Sequence, residues 1–148
     1  MQPFDSEQAV DFARGVSLFN ARQWFDAHEV WEDLWRDDFG DRKRFLQGMI
    51  QAAVLLEHLR RGNPRGARSL HHTCPQKFEG LRCPTLGIDW RQLLADLSKI
   101  MTPVLSLPDE AFFPQRGDAA TIEVSAVIDA LLAAGAPTLS ILDDTQTP

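Results

Sequence analysis

The stretch Phe25-Asp26-Ala27-His28-Glu29-Val30-Trp31-Glu32-Asp33-Leu34-Trp35 gathers a histidine and two glutamates among aromatic residues. His28 and Glu32 are four positions apart. On a helix that spacing puts both side chains on one face, one turn apart, where they can hold one ion or share one proton. Glu29 falls further round, at the edge of that face. A second polar group follows. Gln47, Gln51 and His58 fall within roughly 40° of one another on a helical wheel. They form a narrow stripe on a segment otherwise apolar nearly all round, from Phe45 and Leu46 to Leu56 and Leu59. Gly48 beside the stripe permits close backbone approach. The economical arrangement has this stripe facing His28, Glu29 and Glu32 across a helix pair. A semi-buried His/Glu/Gln pocket inside an aromatic shell results.

Three readings suit such a pocket. His28, Glu32 and His58 can ligate a divalent transition metal (Zn, Mn or Fe) that assists hydrolysis of a small-molecule substrate. The pattern is His-Glu-x-x-Glu rather than the zincin His-Glu-x-x-His. Without a metal, Glu29 or Glu32 can serve as general base and His28 or His58 as its acid–base partner, with Gln47, Gln51 and His58 binding the substrate. The third reading has no chemistry: a non-catalytic structural or protein-interaction domain in which a buried hydrogen-bond network only fixes helix packing. Other histidines offer less, because adjacent His71 and His72 point about 100° apart and read as surface. There is no phosphate-cradling glycine loop and no Gly-x-Ser-x-Gly elbow.

The elements that must position these residues are helices. Asp5 with Gln8 forms a capping-box start for a helix to about Phe19. A second helix runs from about Arg22 to Asp38 and stops at Gly40 as a C′ glycine. Asp41 caps a third, which ends at Gly62. Asn63-Pro64 opens a fourth at once, giving an antiparallel helical hairpin. Pro75 is expected to break or kink that helix near Cys74. A fifth covers about Trp90 to Met101. Residues 102–117, with Pro103, Pro108 and Pro114, read as irregular. A last helix spans Asp118 to Ala134, although alternation over Ile122–Val127 leaves a strand open. Thr138–Pro148 is a tail with one apolar foothold, Leu139-Ser140-Ile141-Leu142. The fold class is therefore all-α: a single-domain bundle of about five to six helices, with the bundle domain over residues 1–101 and a proline-containing extension over 102–148 that adds one helix packing on the bundle, then a tail. Trp24, Trp31, Trp35 and Trp90 are assigned to the core.

Composition agrees. In 148 residues, 44% are hydrophobic and 24% charged, with a formal net charge of −6. An acidic chain repels nucleic acid and anionic membranes. Arg60, Arg61, Arg65 and Arg68 form the one basic cluster, read as a solvated helix end. No apolar run reaches the roughly 18–20 residues that span a bilayer, and Met1–Asp5 does not resemble a signal peptide. A cytoplasmic location with Cys74 and Cys83 as inert free thiols is expected. The apolar third helix leaves a homodimer open.

The assembled residues resemble the DUF309 family of small helical proteins. The resemblance rests on Phe19-Asn20, Trp24-Phe25-Asp26-Ala27-His28-Glu29, Glu32, Trp35, Gln47-Gly48-Met49-Ile50-Gln51, His58 and Arg61-Gly62-Asn63, and covers about residues 8–82. It implies a compact multihelical bundle similar to the helical fold that follows the catalytic domain in some hyaluronidases. It also carries a loose label of metal-dependent hydrolase. The family pattern favours glycine where Arg22 stands and glutamate where Asp26 stands. Its fourth helix is regular where this chain has Cys74-Pro75.

Overall fold

The computed structural model describes residues 1–112 and 118–142. It contains α1 (Ser6–Asn20), α2 (Trp24–Arg36), α3 (Gly40–Arg60), α4 (Pro64–Phe78), α5 (Trp90–Leu105), a 3-10 turn (Asp109–Phe112) and α6 (Asp118–Gly135). Among the described residues there is no strand, only one isolated bridge between Thr85 and Ile88. The alternating stretch Ile122–Val127 is helical backbone. Pro114 and residues 143–148 of the expected tail lie outside the described residues. No described helix is long and apolar enough to cross a membrane.

The helix starts follow local chemistry. Asp5 accepts from the Gln8 amide while the Gln8 side chain returns to the Asp5 amide, completing the capping box. Asn63 accepts from Gly66 N–H, with Pro64 at the first position of α4. Two boundaries differ from expectation. α2 begins at Trp24 because Arg22 has φ 61°, a left-handed conformation that cannot continue a right-handed helix. Gly40, at φ 65°, opens α3 instead of closing α2. Asp41 is thereby carried into the first turn of α3, and the carboxylate at the junction is Asp38, which accepts from Phe39 N–H and Arg42 Nε.

The two internal prolines do not end their helices. α4 passes through Pro75 and α5 through Pro103 to Leu105, four residues beyond the expected stop. Residues flanking each proline are anchored. The Cys74 thiol donates to the Gly48 carbonyl at 3.4 Å, and Phe78 is fully buried. Met101 and Val104 are likewise buried on either side of Pro103. Packing of this kind offsets the hydrogen bond a proline removes.

α3 is the central element, with α2 on one side and α4 on the other. Its all-round apolar surface follows from having two neighbours. Glycine lets rings approach the backbone at two interfaces. A Cβ on Gly15 of α1 would lie 2.1 Å from Trp31 Nε1 of α2, and one on Gly48 of α3 would lie 2.5 Å from Phe78 Cζ of α4. Trp24 and Trp31 are fully buried, Trp90 is nearly so and stacks on Phe78 at 5.4 Å, and Trp35 is partly buried. α6 packs against α3, α5 and the 3-10 turn. The segment after it returns to the core, where Leu139 is buried.

Candidate functional site

α2 presents His28 and Glu32 as the wheel requires. His28 Nε2 lies 3.5 Å from Glu32 Oε2, and the two side chains are 17% and 39% exposed. His28 Nδ1 faces the Phe25 carbonyl. A carbonyl only accepts, so Nδ1 carries the proton of that bond. The Phe25 ring meets His28 edge-on at 4.8 Å. Arg36 also reaches Glu32, at 3.9 Å. Glu29 is exposed. The pair therefore sits at a rim, half in water.

Two residues of the α3 stripe have their partners at α4. Gln51 accepts from Thr73 Oγ1 of α4 at 2.8 Å. His58 Nδ1 lies 3.0 Å from Asn63 Nδ2, and its ring lies against Gly66 of α4, where a Cβ would be 2.9 Å away. Gln47 is half-buried on the same helix. Of the three residues expected to face His28, Glu29 and Glu32, Gln51 and His58 instead bond to Thr73 of α4 and to its N-cap Asn63, at the α3–α4 seam. The reason is that α3 is covered on two sides, and the periodicity that identifies a stripe does not say which neighbour it meets. Among the described residues, no group of three or more His, Cys, Asp or Glu stands together as a metal site. His28 and Glu32 are brought together; His58 is not brought to them.

Near its C-terminal end, α3 buries a carboxylate that the wheel argument does not single out, Glu57. Glu57 is 5% exposed. It accepts from Arg60 Nε at 2.9 Å, Arg60 Nη2 at 2.6 Å and Arg61 Nε at 2.6 Å. The Arg60 guanidinium, assisted by Arg61, holds the Glu57 carboxyl below its ordinary range against the opposing effect of burial. Arg61 also lies over the Phe25 ring at 5.2 Å, joining the end of α3 to the start of α2. Glutamate followed by arginine at i+3 and i+4 was the available signal. Asp38 and Arg42 form a second such pair at 2.7 Å, and Arg42 continues to the Gln2 and Pro3 carbonyls.

His58 is held below its ordinary range first by burial and then by Arg61, with Glu57 opposing. His71 is half-buried and lowered for the same first reason, with His72 adding to it. In the basic cluster, Arg60 and Arg61 serve Glu57, and Arg68 lies over Phe112 at 4.1 Å. A shallow cleft of about 930 Å3 lies elsewhere, lined by Phe4, Asp41, Arg82, Leu86 and Leu142 among others. None of the residues singled out from the sequence as catalytic, binding or metal-ligating lines it.

The helical unit is similar to known proteins. The model of the domain of unknown function DUF309 matches residues 12–70, which run from α1 into α4. The uncharacterized protein YpuF of Bacillus subtilis strain 168 is 43% identical over 82 residues, 53% of this chain and 47% of that protein. The chain thus spans about half the length of that curated relative. The crystal structure of the conserved hypothetical protein TTHA0068 from Thermus thermophilus is similar with a TM-score of 0.56 and 35% identity, covering 62% of this chain and 95% of that one. Because the helical unit is matched in sequence and in solved structure, the chain belongs to the DUF309 family.

Proposed function

We propose that this chain is a non-catalytic helical scaffold, and that the polar residues of α2 and α3 fix how its helices pack. One observation carries the reading. The residues that a shared pocket would need are divided among separate partners: His28 with Glu32, Gln51 with Thr73, and His58 with Asn63. Each bond joins neighbouring turns or neighbouring helices, and His28, Gln51 and His58 each have a different partner. Gln51–Thr73 is the part-buried pair that links two helices, and fixing the register of α3 against α4 is the use that fits it. Metal-assisted hydrolysis at His28 and Glu32 needs at least one further donor from another element, and His58 is committed to the α3–α4 seam.

Elemental analysis of the full chain, purified without a histidine tag and dialysed against Zn, Mn or Fe(II), tests the reading. The expected result is less than a tenth of an equivalent of each metal. Gln51→Ala is expected to lower stability by about 1 kcal/mol, the net worth of one intramolecular hydrogen bond. One equivalent of metal, abolished by His28→Ala, would overturn the proposal in favour of a metal centre.

A further inference from the structure

Residues 136–142, which follow α6, are held on the bundle in a manner unlike ordinary loop packing. Asn20, the last residue of α1, reads the main chain of Leu139 twice: its Nδ2 donates to the Leu139 carbonyl at 2.8 Å, and its Oδ1 accepts from the Leu139 amide at 2.7 Å. Three residues on, the Leu142 amide donates to the Gly87 carbonyl at 2.7 Å. Gly87 has φ 81°, and a Cβ there would come within 2.8 Å of both Ile141 Cγ2 and the Leu142 carbonyl. Only glycine leaves space for the segment to lie so close. Pro137 and Leu139 are buried while Thr138 and Ser140 are exposed, the two-residue alternation of an extended peptide lying in a groove.

These are the means by which a protein binds an extended peptide. Main-chain hydrogen bonds supply affinity without reading sequence, and alternate side-chain pockets supply preference. The receptor side includes Asn20, which lies inside the span matched by the family model, whereas the occupant lies outside that span. The receptor thus draws on the shared helical unit, and the peptide is an addition. Gly87 and Leu142 also line the open cleft, so the cleft adjoins the site where the segment lies.

We infer that Asn20 and Gly87 form a peptide-docking groove whose resident occupant is this chain's own segment 136–142, and that the groove accepts in trans an extended peptide with apolar residues two apart once that segment is released. The inference rests on Asn20 and Gly87 and is independent of the role assigned to His28, Glu32, Gln51 and His58.

The test uses the full chain carrying Leu139→Asp, which ejects the buried leucine, and a fluorescein-labelled peptide of residues 136–142 followed by anisotropy. The peptide is expected to bind Leu139→Asp at least tenfold tighter than wild type, whose groove is filled, and binding is expected to vanish when Asn20→Ala is added. A folded Leu139→Asp chain, verified by circular dichroism, that does not bind the peptide would overturn the inference. If Leu139→Asp does not fold, hydrogen exchange of wild type decides. Exchange at the Leu139 and Leu142 amides at least tenfold faster than in α3 marks a detachable occupant. Exchange only with global unfolding marks a permanent part of the core and sinks the proposal.

Discussion

His58 accepts a hydrogen bond from Asn63, and the polarity of that bond is fixed by a third group. Gly66 N–H donates to Asn63 Oδ1, so the other end of the amide, Nδ2, must be the donor to His58 Nδ1 3.0 Å away. Protonating Nδ1 would set two donors against each other. Burial, the nearby Arg61 charge and this bond all favour the neutral ring. The folded state therefore binds the His58 proton less readily than the unfolded chain does. Stability from this residue is complete above the unfolded value of 6.5 and declines as pH falls through it toward the folded value. Wild type is expected to hold its thermal stability from about pH 8 to about pH 7 and to lose it as pH falls through 6.5 and below. His71 contributes in the same direction, so the control is Asn63→Asp. It keeps the cap on Gly66 but places a carboxylate beside His58, and it should flatten the His58 part of the profile. Melting curves of both proteins across that range provide the check, and parallel profiles would refute the assignment.

Glu57 carries the opposite kind of test at lower pH. Its folded carboxyl titrates below the unfolded value of 4.5, so its contribution is intact above that value and is lost as pH falls through the window beneath it. Glu57→Gln removes charge-assisted bonds from Arg60 and Arg61, both of which remain about half-exposed and can return to water. The expected cost at neutral pH is therefore modest, about 1–2 kcal/mol. Urea unfolding at about pH 7 and pH 3.5 should show the difference between wild type and variant narrowing in acid.

Arg22 stands in the left-handed region without glycine's freedom. Relief of a left-handed L-residue is worth roughly 1–2 kcal/mol, against about 0.4–1 kcal/mol for the added freedom of the unfolded chain. Arg22→Gly is expected to stabilise the protein by about 0.5–1 kcal/mol in chemical denaturation. Arg22→Val, β-branched at the same φ, should destabilise it.

The two thiols differ in access. Cys74 is buried, and burial pushes its thiol up to about 12. Cys83 is only half-buried, is also raised first by burial, and donates to Asp89 Oδ1 at 3.4 Å. An aromatic disulfide reagent at about pH 8 is expected to modify Cys83 slowly and Cys74 only on unfolding. Equal rates for Cys74→Ala and Cys83→Ala proteins would mean that α4 opens near Pro75.

The fold is legible in the sequence because its signals are local. The Asp5/Gln8 box, the Asn63-Pro64 start and the Gly62 stop act over three or four residues and can be read without knowing any neighbour. Pro75 and Pro103 fail to end their helices for the complementary reason. Local rules end a helix there, but the anchors that keep it intact, Gly48 against Cys74 and the buried pair Met101 and Val104, come from tertiary packing. The candidate site divides in the same way. The His28–Glu32 pair is an i, i+4 relation within one helix and can be found from spacing alone. Its supposed meeting with Gln51 and His58 depends on which of two neighbours that face of α3 meets. Glu57 escapes notice because a glutamate flanked by arginines looks like surface until the side chain is found 5% exposed.

Gly15 and Gly48 let neighbouring rings rest on bare helix backbone, Trp31 on one and Phe78 on the other. Each glycine is therefore half of a paired shape, since a methyl group fits only if the opposing ring retreats. Substitutions at these positions should be inherited jointly. Across related chains, alanine or serine at position 15 or 48 should appear alongside a smaller side chain at 31 or 78, so that the contact leaves its trace as covariation between sites far apart in sequence.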